Sequence, residues 1–141
     1  GLLYPFSIVK NEQDKSDLIR TILAVDEATQ SLTFAGEIKE GSLVRLMHSK
    51  NKQLVEGAAG AAKVAHAKAN KSAPGCGILI SCVGRKLVMG DEIDDEIDAV
   101  TDIFGDSTIT GFYSYGEICT QQGFTECKLH NQTMTITYFY E

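Results

Sequence analysis

Alternating apolar and polar residues dominate the first third of the chain and predict strands. The alternation is typical of extended segments with one buried face, and polar breaks of three to five residues separate the later ones. Gly41 can supply the positive φ of a tight turn in one of these breaks. Strands joined so closely predict an antiparallel meander. The predicted strands cover residues 18–25, 31–38 and 42–48, with a short additional strand at 6–9 after Pro5.

A second pattern, with apolar residues three or four positions apart, begins near residue 51 and predicts a helix over residues 51–71. Its stripe consists mainly of alanines, which favour the helical state intrinsically. Methyl groups are small, so the helix can lie close to whatever it covers. Pro74 ends this helix because it biases Ala73 away from helical backbone angles.

The run at residues 77–84 is almost continuously apolar, as expected for a central strand buried on both faces. A second amphipathic helix follows it, with Asp91 as the predicted N-cap and Gly105 as the stop. Acidic residues crowd its first turns, where the helix dipole favours them. Its apolar stripe is Ile93, Ile97, Val100 and Phe104.

Two further extended segments complete the pattern. Residues 108–112 and 115–118 form one predicted strand with an internal glycine, and residues 132–140 alternate most regularly of all. The order βββαβαββ therefore predicts an α+β fold, with a mixed, mostly antiparallel sheet and two helices. We expect a single domain over residues 1–141, because this length suits one hydrophobic core.

Composition narrows the class of protein. The formal net charge is −6, but seven acids between Asp91 and Asp102 account for it, so no basic surface is available for nucleic acid. No apolar run approaches the roughly 20 residues of a spanning helix, so membrane insertion is not expected. Four cysteines without a CxxC pair predict reduced thiols in a cytoplasmic protein without a cofactor. The start at Gly1 suggests a piece excised from a longer protein.

The end of the predicted central strand is the first candidate binding site. Ser81 and Cys82 are small residues at the carboxyl end of that strand, where open sheets bind ligands by preference. Arg85 follows and could hold a carboxylate through a two-pronged pair. The alternative is a surface arginine that pairs with an acid of the next helix.

Tyr113, Tyr115 and Glu117 form a second candidate group. They share one parity along an extended chain, so they would point to one face unless Gly116 introduces a bulge. Two phenols and a carboxylate suit an ammonium group, through cation–π contact and ion pairing. The alternative is that the tyrosines are ordinary packing residues with a solvated hydroxyl.

His130, Asn131 and Gln132 lie where a loop enters the last strand and form a third group. Their side chains can donate and accept hydrogen bonds, which suits either a polar ligand or the turn itself. A Cys82 nucleophile with His130 as its base is chemically possible, but linear spacing does not support it. Zinc held by Cys119, Cys127 and His130 fits no usual ligand spacing, so we expect no metal site.

Three of these segments carry a family resemblance: SCVGRK at 81–86, GFYSYGEI at 111–118 and HNQTMT at 130–135. With them the chain resembles the C-terminal part of FIST domains, the module of F-box and intracellular signal transduction proteins. The resemblance extends to ILAVD at 22–26, FAGEI at 34–38 and LVRLM at 43–47. It therefore covers nearly the whole chain, in the expected order.

The resemblance implies a non-enzymatic sensory domain that binds a small ligand such as an amino acid. It also implies two partners, an N-terminal FIST half before this piece and a downstream signalling domain. Our interpretation is that the carboxylate of the ligand lies near Arg85 and its ammonium near Glu117 and the tyrosines. A protein-interaction module and a cryptic hydrolase based on Cys82 are the alternatives.

Overall fold

The computed structural model describes residues 3–11, 13, 18–67, 69, 74–120 and 127–140. Helices and strands alternate irregularly along the chain, which confirms the predicted α+β class. The strands are β1 (Phe6–Val9), β2 (Leu18–Arg20), β3 (Ile22–Asp26), β4 (Ser31–Phe34), β5 (Leu43–Leu46), β6 (Cys76–Cys82), β7 (Thr108–Ser114), β8 (Glu117–Thr120), β9 (Cys127–His130) and β10 (Met134–Phe139). The helices are α1 (Asn51–Ala67), α2 (Val83–Met89) and α3 (Asp94–Phe104), with a 3-10 turn at Gly90–Glu92.

The apolar run predicted to be a central strand is central. β6 lies between β10, which is antiparallel to it, and β7, which is parallel to it. The parallel register pairs Ser81 with Tyr113 and Cys82 with Ser114, so both strands end at the same edge of the sheet. This edge carries most of the predicted site residues.

The hydrophobic core lies between this sheet and the two long helices. Ala58 and Ala62 of α1 pack with Leu79 of β6 and with Val100 and Phe104 of α3, and all five side chains are at least 97% buried. Alanine at the contact lets α1 approach closely, as its methyl stripe predicts. The predicted helix at 51–71 is thus confirmed over Asn51–Ala67, whereas Ala69 is not helical and residues 68 and 70–71 lie outside the described ranges.

The predicted antiparallel meander is wrong. The segment 18–25 splits at Thr21 into β2 and β3, which belong to different sheets. β2 joins β1 and β5 in a three-stranded sheet, whereas β3 pairs only with β4. The chain changes sheets at Thr21 because the backbone N–H of this residue donates to Asn131 Oδ1, at 3.4 Å, and its carbonyl accepts from Ala35.

The predicted count of two helices is also wrong for the described residues, which contain three. A helical turn starts directly after β6, and the segment around Asp91 is a 3-10 turn. The predicted N-cap at Asp91 therefore fails, and α3 follows Ile93 without a side-chain cap. None of the three described helices has the length and apolar character needed to span a bilayer.

The strand predicted at 108–118 breaks in the middle. β7 ends at Ser114, and β8 begins at Glu117 and pairs with β9 instead of continuing the sheet. The predicted polar connection before the last strand thus contains a strand, β9, while residues 121–126 lie outside the described ranges. The order βββαβαββ is replaced by five strands, α1, β6, two helices and four strands.

Candidate functional site

The carboxyl ends of β6 and β7 bring several predicted site residues together. Ser81 and Cys82 end β6, and the Cys82 backbone N–H donates to the Thr133 carbonyl at 2.9 Å. This bond holds the turn before β10, and with it His130, Asn131 and Gln132, against the sheet edge. These predicted residues are therefore neighbours in the structure.

Arg85 lies inside the protein and is paired with an acid. Its Nε and Nη2 donate to Glu96 Oε2 at 2.9 and 2.7 Å, and Nη2 also donates to the Leu54 carbonyl at 2.9 Å. Ser81 Oγ donates to the other carboxylate oxygen of Glu96, at 2.9 Å. Arg85 is 5% exposed and Glu96 fully buried. The geometry favours the alternative in which Arg85 pairs with the next helix, although within the interior rather than at the surface.

Glu117 anchors a second buried polar cluster. Its carboxylate accepts hydrogen bonds from Ser114 Oγ at 2.5 Å and from Thr133 Oγ1 at 2.7 Å. Burial raises the pKa of the Cys82 thiol, and the nearby Glu117 carboxylate adds to this. Both oxygens of Glu117 are therefore engaged by side chains that also hold the sheet edge.

The two tyrosines lie outside these clusters. Tyr115 is 88% exposed, and Tyr113, 36% exposed, has the Lys86 ammonium 4.9 Å from its ring centroid. Burial raises the pKa of the Tyr113 hydroxyl, and the carboxylates of Glu96 and Asp94 add to this. The expectation that Tyr113, Tyr115 and Glu117 share one face is wrong for Glu117, because the strand breaks at Gly116 and buries it.

His130 is 2% exposed, and neither of its ring nitrogens has a hydrogen-bond partner among the described residues. Burial lowers its pKa, and the nearby Cys119 backbone partly offsets this. The adjacent Asn131 is buried and satisfied: its Oδ1 accepts from Thr21, and its Nδ2 donates to the His130 carbonyl at 3.1 Å. His130 is thus a neutral imidazole in the interior.

A substitution at His130 tests this description. Since its pKa is lowered in the folded state, the unfolded chain binds more protons below pH about 6.5, and stability falls as the pH drops through that value. We expect His130→Leu to be about 1 kcal/mol more stable than the unchanged protein at pH 7.5, because two unpaired buried polar atoms are removed. Urea unfolding at pH 7.5 and pH 5 should find this advantage larger at the lower pH. An advantage that disappears at pH 5 would contradict a neutral, buried His130.

The two reactive-site alternatives find little support in this geometry. Burial raises the pKa of Cys82, and the Glu117 carboxylate raises it further, whereas a nucleophilic cysteine needs a lowered pKa. The described residues contain no group of three histidine, cysteine or acidic side chains that could hold a metal ion.

An open cleft lies beside the buried clusters, and we name it the Gln132 cleft. Its volume is about 420 Å³, and it opens to solvent on one side. Its apolar lining consists of Leu3, Pro5, Ile19, Met47, Leu54 and Val88. Its polar lining consists of His48, Ser49, Gln53 and Gln132, and the described lining contains no aspartate, glutamate, lysine or arginine. Of the nine predicted site residues, Gln132 is the one among these lining residues.

Gln132 adopts a conformation that is unusual for its residue type. Its φ is +54°, in the left-handed region that glutamine rarely occupies. Its side chain lies against α2, where a Cβ added to Gly84 would come within 3.0 Å of Gln132 Cγ. Gln30 shares this backbone conformation in a turn, so it is the place of Gln132 in the cleft lining that makes it the predicted residue with the strongest structural signal.

Sequence reasoning missed the partners of the predicted residues. Glu96 is the most important of these, and it had a signal: it lies four residues before Val100 and three after Ile93, on the apolar stripe of α3. A carboxylate on a buried helix face requires a cation or donors inside the protein. Ser114 and Thr133 carried no comparable signal, because short hydroxyl side chains are common on strands.

Fold and site together define a small α+β domain with two buried polar clusters at one sheet edge and an open cleft beside them. The family model described as FIST C domain matches residues 1–120. The chain belongs to this family, whose members are sensory domains of signal transduction. His130, Asn131 and Gln132 lie beyond the matched residues. No curated protein and no solved structure matches the chain significantly.

Proposed function

We propose that this FIST C domain senses a small amino-acid-like ligand that binds in the Gln132 cleft. The domain acts by binding rather than by turnover. The observation that carries the proposal is the cleft itself, about 420 Å³ in volume and lined by both apolar side chains and hydrogen-bonding groups. Small-molecule sites typically have volumes of about 300–1,000 Å³ and this mixed character.

The lining suits an amino acid with an apolar side chain. Met47, Leu54 and Val88 offer an apolar surface to that side chain. Gln132 contributes an amide to the lining, and so does Gln53, whose Oε1 accepts from the Lys50 backbone N–H at 2.9 Å. Charged lining residues are absent from the described part of the cleft, so the carboxylate and ammonium of the ligand meet amide groups and water rather than counter-charges. A ligand with a charged side chain would lose hydration there without gaining a partner.

This proposal changes the roles of the nine predicted residues. Gln132 contacts the ligand directly, and Tyr113 and Tyr115 remain accessible for a larger ligand or a partner protein. The others support the cleft from within, because their polar groups are buried and most are already engaged. These residues are Ser81, Cys82, Arg85, Glu117, His130 and Asn131.

Calorimetric titration with the twenty amino acids tests the proposal. We expect binding of at least one apolar amino acid, and about tenfold weaker binding by Gln132→Asn, which shortens the side chain and withdraws one hydrogen bond. Asparagine tolerates positive φ better than glutamine, so this variant should be at least as stable as the parent.

Gln30→Asn is the matched control, since Gln30 is the other described glutamine with positive φ, at +50°, and lies in the turn between β3 and β4. It should leave the affinity unchanged. Equal affinities of the parent, Gln132→Asn and Gln30→Asn would show that Gln132 does not contact the ligand. The absence of binding by all twenty amino acids would count against an amino-acid ligand.

The proposed partners are an N-terminal FIST half and a downstream signalling domain, within a cytoplasmic protein. β3 and β4 form a ribbon of two strands, which is marginally stable without further packing. Leu23 and Val25 of this ribbon and Leu46 of β5 are each about 60% exposed. Apolar strands left uncovered in this way support a neighbouring domain that packs on them.

A protein-interaction module is the second candidate function. The observation that favours it is the exposed apolar surface near the sheet edge, where Phe112, Tyr115 and Ile118 are all more than 60% exposed. Such side chains are enriched in protein interfaces. Amino-acid titration separates the candidates, because a protein-recognition surface gives no response to single amino acids.

A further inference from the structure

Two side chains that line the Gln132 cleft belong to different helices, and a buried arginine joins these helices. Leu54 lines the cleft from α1, and Val88 lines it from α2. Arg85 lies three residues before Val88, so both occupy neighbouring positions on the same side of α2. The guanidinium of Arg85 crosses to α1 and donates to the Leu54 carbonyl at 2.9 Å.

The same guanidinium is fixed from a third helix. Glu96 of α3 accepts from Arg85 Nε and Nη2, and its other oxygen accepts from Ser81 of β6. Arg85 and Glu96 are both almost completely buried, so water cannot substitute for either partner. Arg85 is therefore held in one geometry. Through the Arg85–Glu96 pair, α2 is joined to α1, α3 and β6.

We infer that Arg85 is a positioning residue that sets the separation of the α1 and α2 sides of the Gln132 cleft and couples that separation to α3. That Arg85 joins α1 to α3 follows from its hydrogen bonds. Its role in ligand sensing rests on the proposed function. Arginine is needed because its planar group offers donors in several directions at once, and a lysine ammonium cannot span the same partners.

This arrangement gives an occupied cleft a route to the rest of the domain. A ligand between Leu54 and Val88 presses on the two helices that Arg85 joins. Because the guanidinium holds Glu96 as well, a change in helix separation must be accommodated by α3. The coupled element thus consists of the Arg85 and Glu96 side chains and the backbone of Leu54.

Amide hydrogen exchange of the full chain, without any ligand, tests whether Arg85 joins α1 to α3. We expect Arg85→Lys to speed amide exchange by about tenfold in the first turns of α1 and in α3. The Leu54 carbonyl loses its charge-assisted donor, and Glu96 Oε2 loses the paired Nε and Nη2 donors. Ser81→Ala is the matched control: it removes one hydrogen bond from Glu96 but leaves Arg85 joined to both helices. If Arg85→Lys does not fold, Glu96→Gln replaces it. This variant should speed exchange in α3, and also in the first turns of α1, because the guanidinium that donates to Leu54 is then no longer fixed by a carboxylate.

Unchanged protection of the first turns of α1 in Arg85→Lys, or equal loosening in Ser81→Ala, would overturn the inference. Titration of the same variants with the amino-acid panel keeps the two proposals separate. If no amino acid binds but exchange in α1 speeds up, the ligand proposal fails and the positioning role stands. If an amino acid binds equally well to Arg85→Lys and the parent, and exchange in α1 is unchanged, the positioning role fails and the ligand stands.

Discussion

Glu96→Ala is expected to lower the free energy of unfolding by about 3–5 kcal/mol, among the largest effects of any single substitution in this chain. The change leaves the Arg85 guanidinium buried without a counter-charge and Ser81 Oγ without its acceptor. A charge in the interior without a partner costs far more than the pair contributes when intact. Urea denaturation at pH 7.5 measures the loss.

The combined variant Arg85→Met with Glu96→Leu is the control. It removes both charges and fills their space with apolar atoms, so its stability should lie within about 1–2 kcal/mol of the parent. A Glu96→Ala variant as stable as the parent would mean that the pair is solvated. A combined variant as unstable as Glu96→Ala would mean that volume, rather than unpaired charge, determines the effect.

Gly111→Ala is expected to destabilise the domain by about 3 kcal/mol or more. Gly111 pairs with Leu79 in the parallel register of β6 and β7. A Cβ at Gly111 would collide with the Leu79 carbonyl oxygen and lie 2.9 Å from its carbonyl carbon. Because the obstacle is backbone rather than a flexible side chain, the two central strands must separate locally.

Gly60→Ala is the matched control in a helix. Nothing lies within 4 Å of a Cβ added at Gly60, and alanine is the better helix former, so this variant should gain about 0.5–1 kcal/mol. The melting temperature should therefore fall in Gly111→Ala and rise in Gly60→Ala, each relative to the parent. A Gly111→Ala protein with the melting temperature of the parent would mean that β6 and β7 are not paired as described.

The sequence predicted the elements that follow from local pattern. The alanine stripe of α1, the buried run of β6 and the alternation of β10 each depend on residues within a single segment, and each is confirmed. The sheet partners of the N-terminal strands could not be predicted in the same way. The change of sheet at Thr21 depends on Asn131, 110 positions away, and no periodicity encodes such a contact.

The predicted residues lie near the Gln132 cleft, but eight of the nine are not among its described lining residues. The segments around Ser81, Glu117 and His130 do meet at one sheet edge, as expected from the ends of adjacent strands. The sequence offers pairing of Arg85 with an acid of the next helix as an alternative, but places it at the surface, whereas Glu96 turns inward on α3 and the pair is buried. Glu117 faces inward because the chain bends between β7 and β8, a feature that parity along a strand cannot reveal.

The strain at Gln132 was equally hidden from the sequence. A glutamine in the left-handed region has no signature like that of a glycine, so the sequence predicts polar side chains at residues 130–132 for a ligand or a turn, but not this backbone conformation. The structure adds that this glutamine lines a cleft and packs on Gly84 of α2. Of the three original candidate groups, the third therefore contains the residue that carries the functional proposal.

The most direct test of ligand sensing in the Gln132 cleft is a two-dimensional NMR titration of the labelled chain with apolar amino acids. We expect saturable shifts concentrated at Leu54, Val88 and Gln132, which require about tenfold more ligand in Gln132→Asn but not in Gln30→Asn. Shifts centred on Tyr113 and Tyr115, or no saturable shifts with any apolar amino acid, would contradict this expectation.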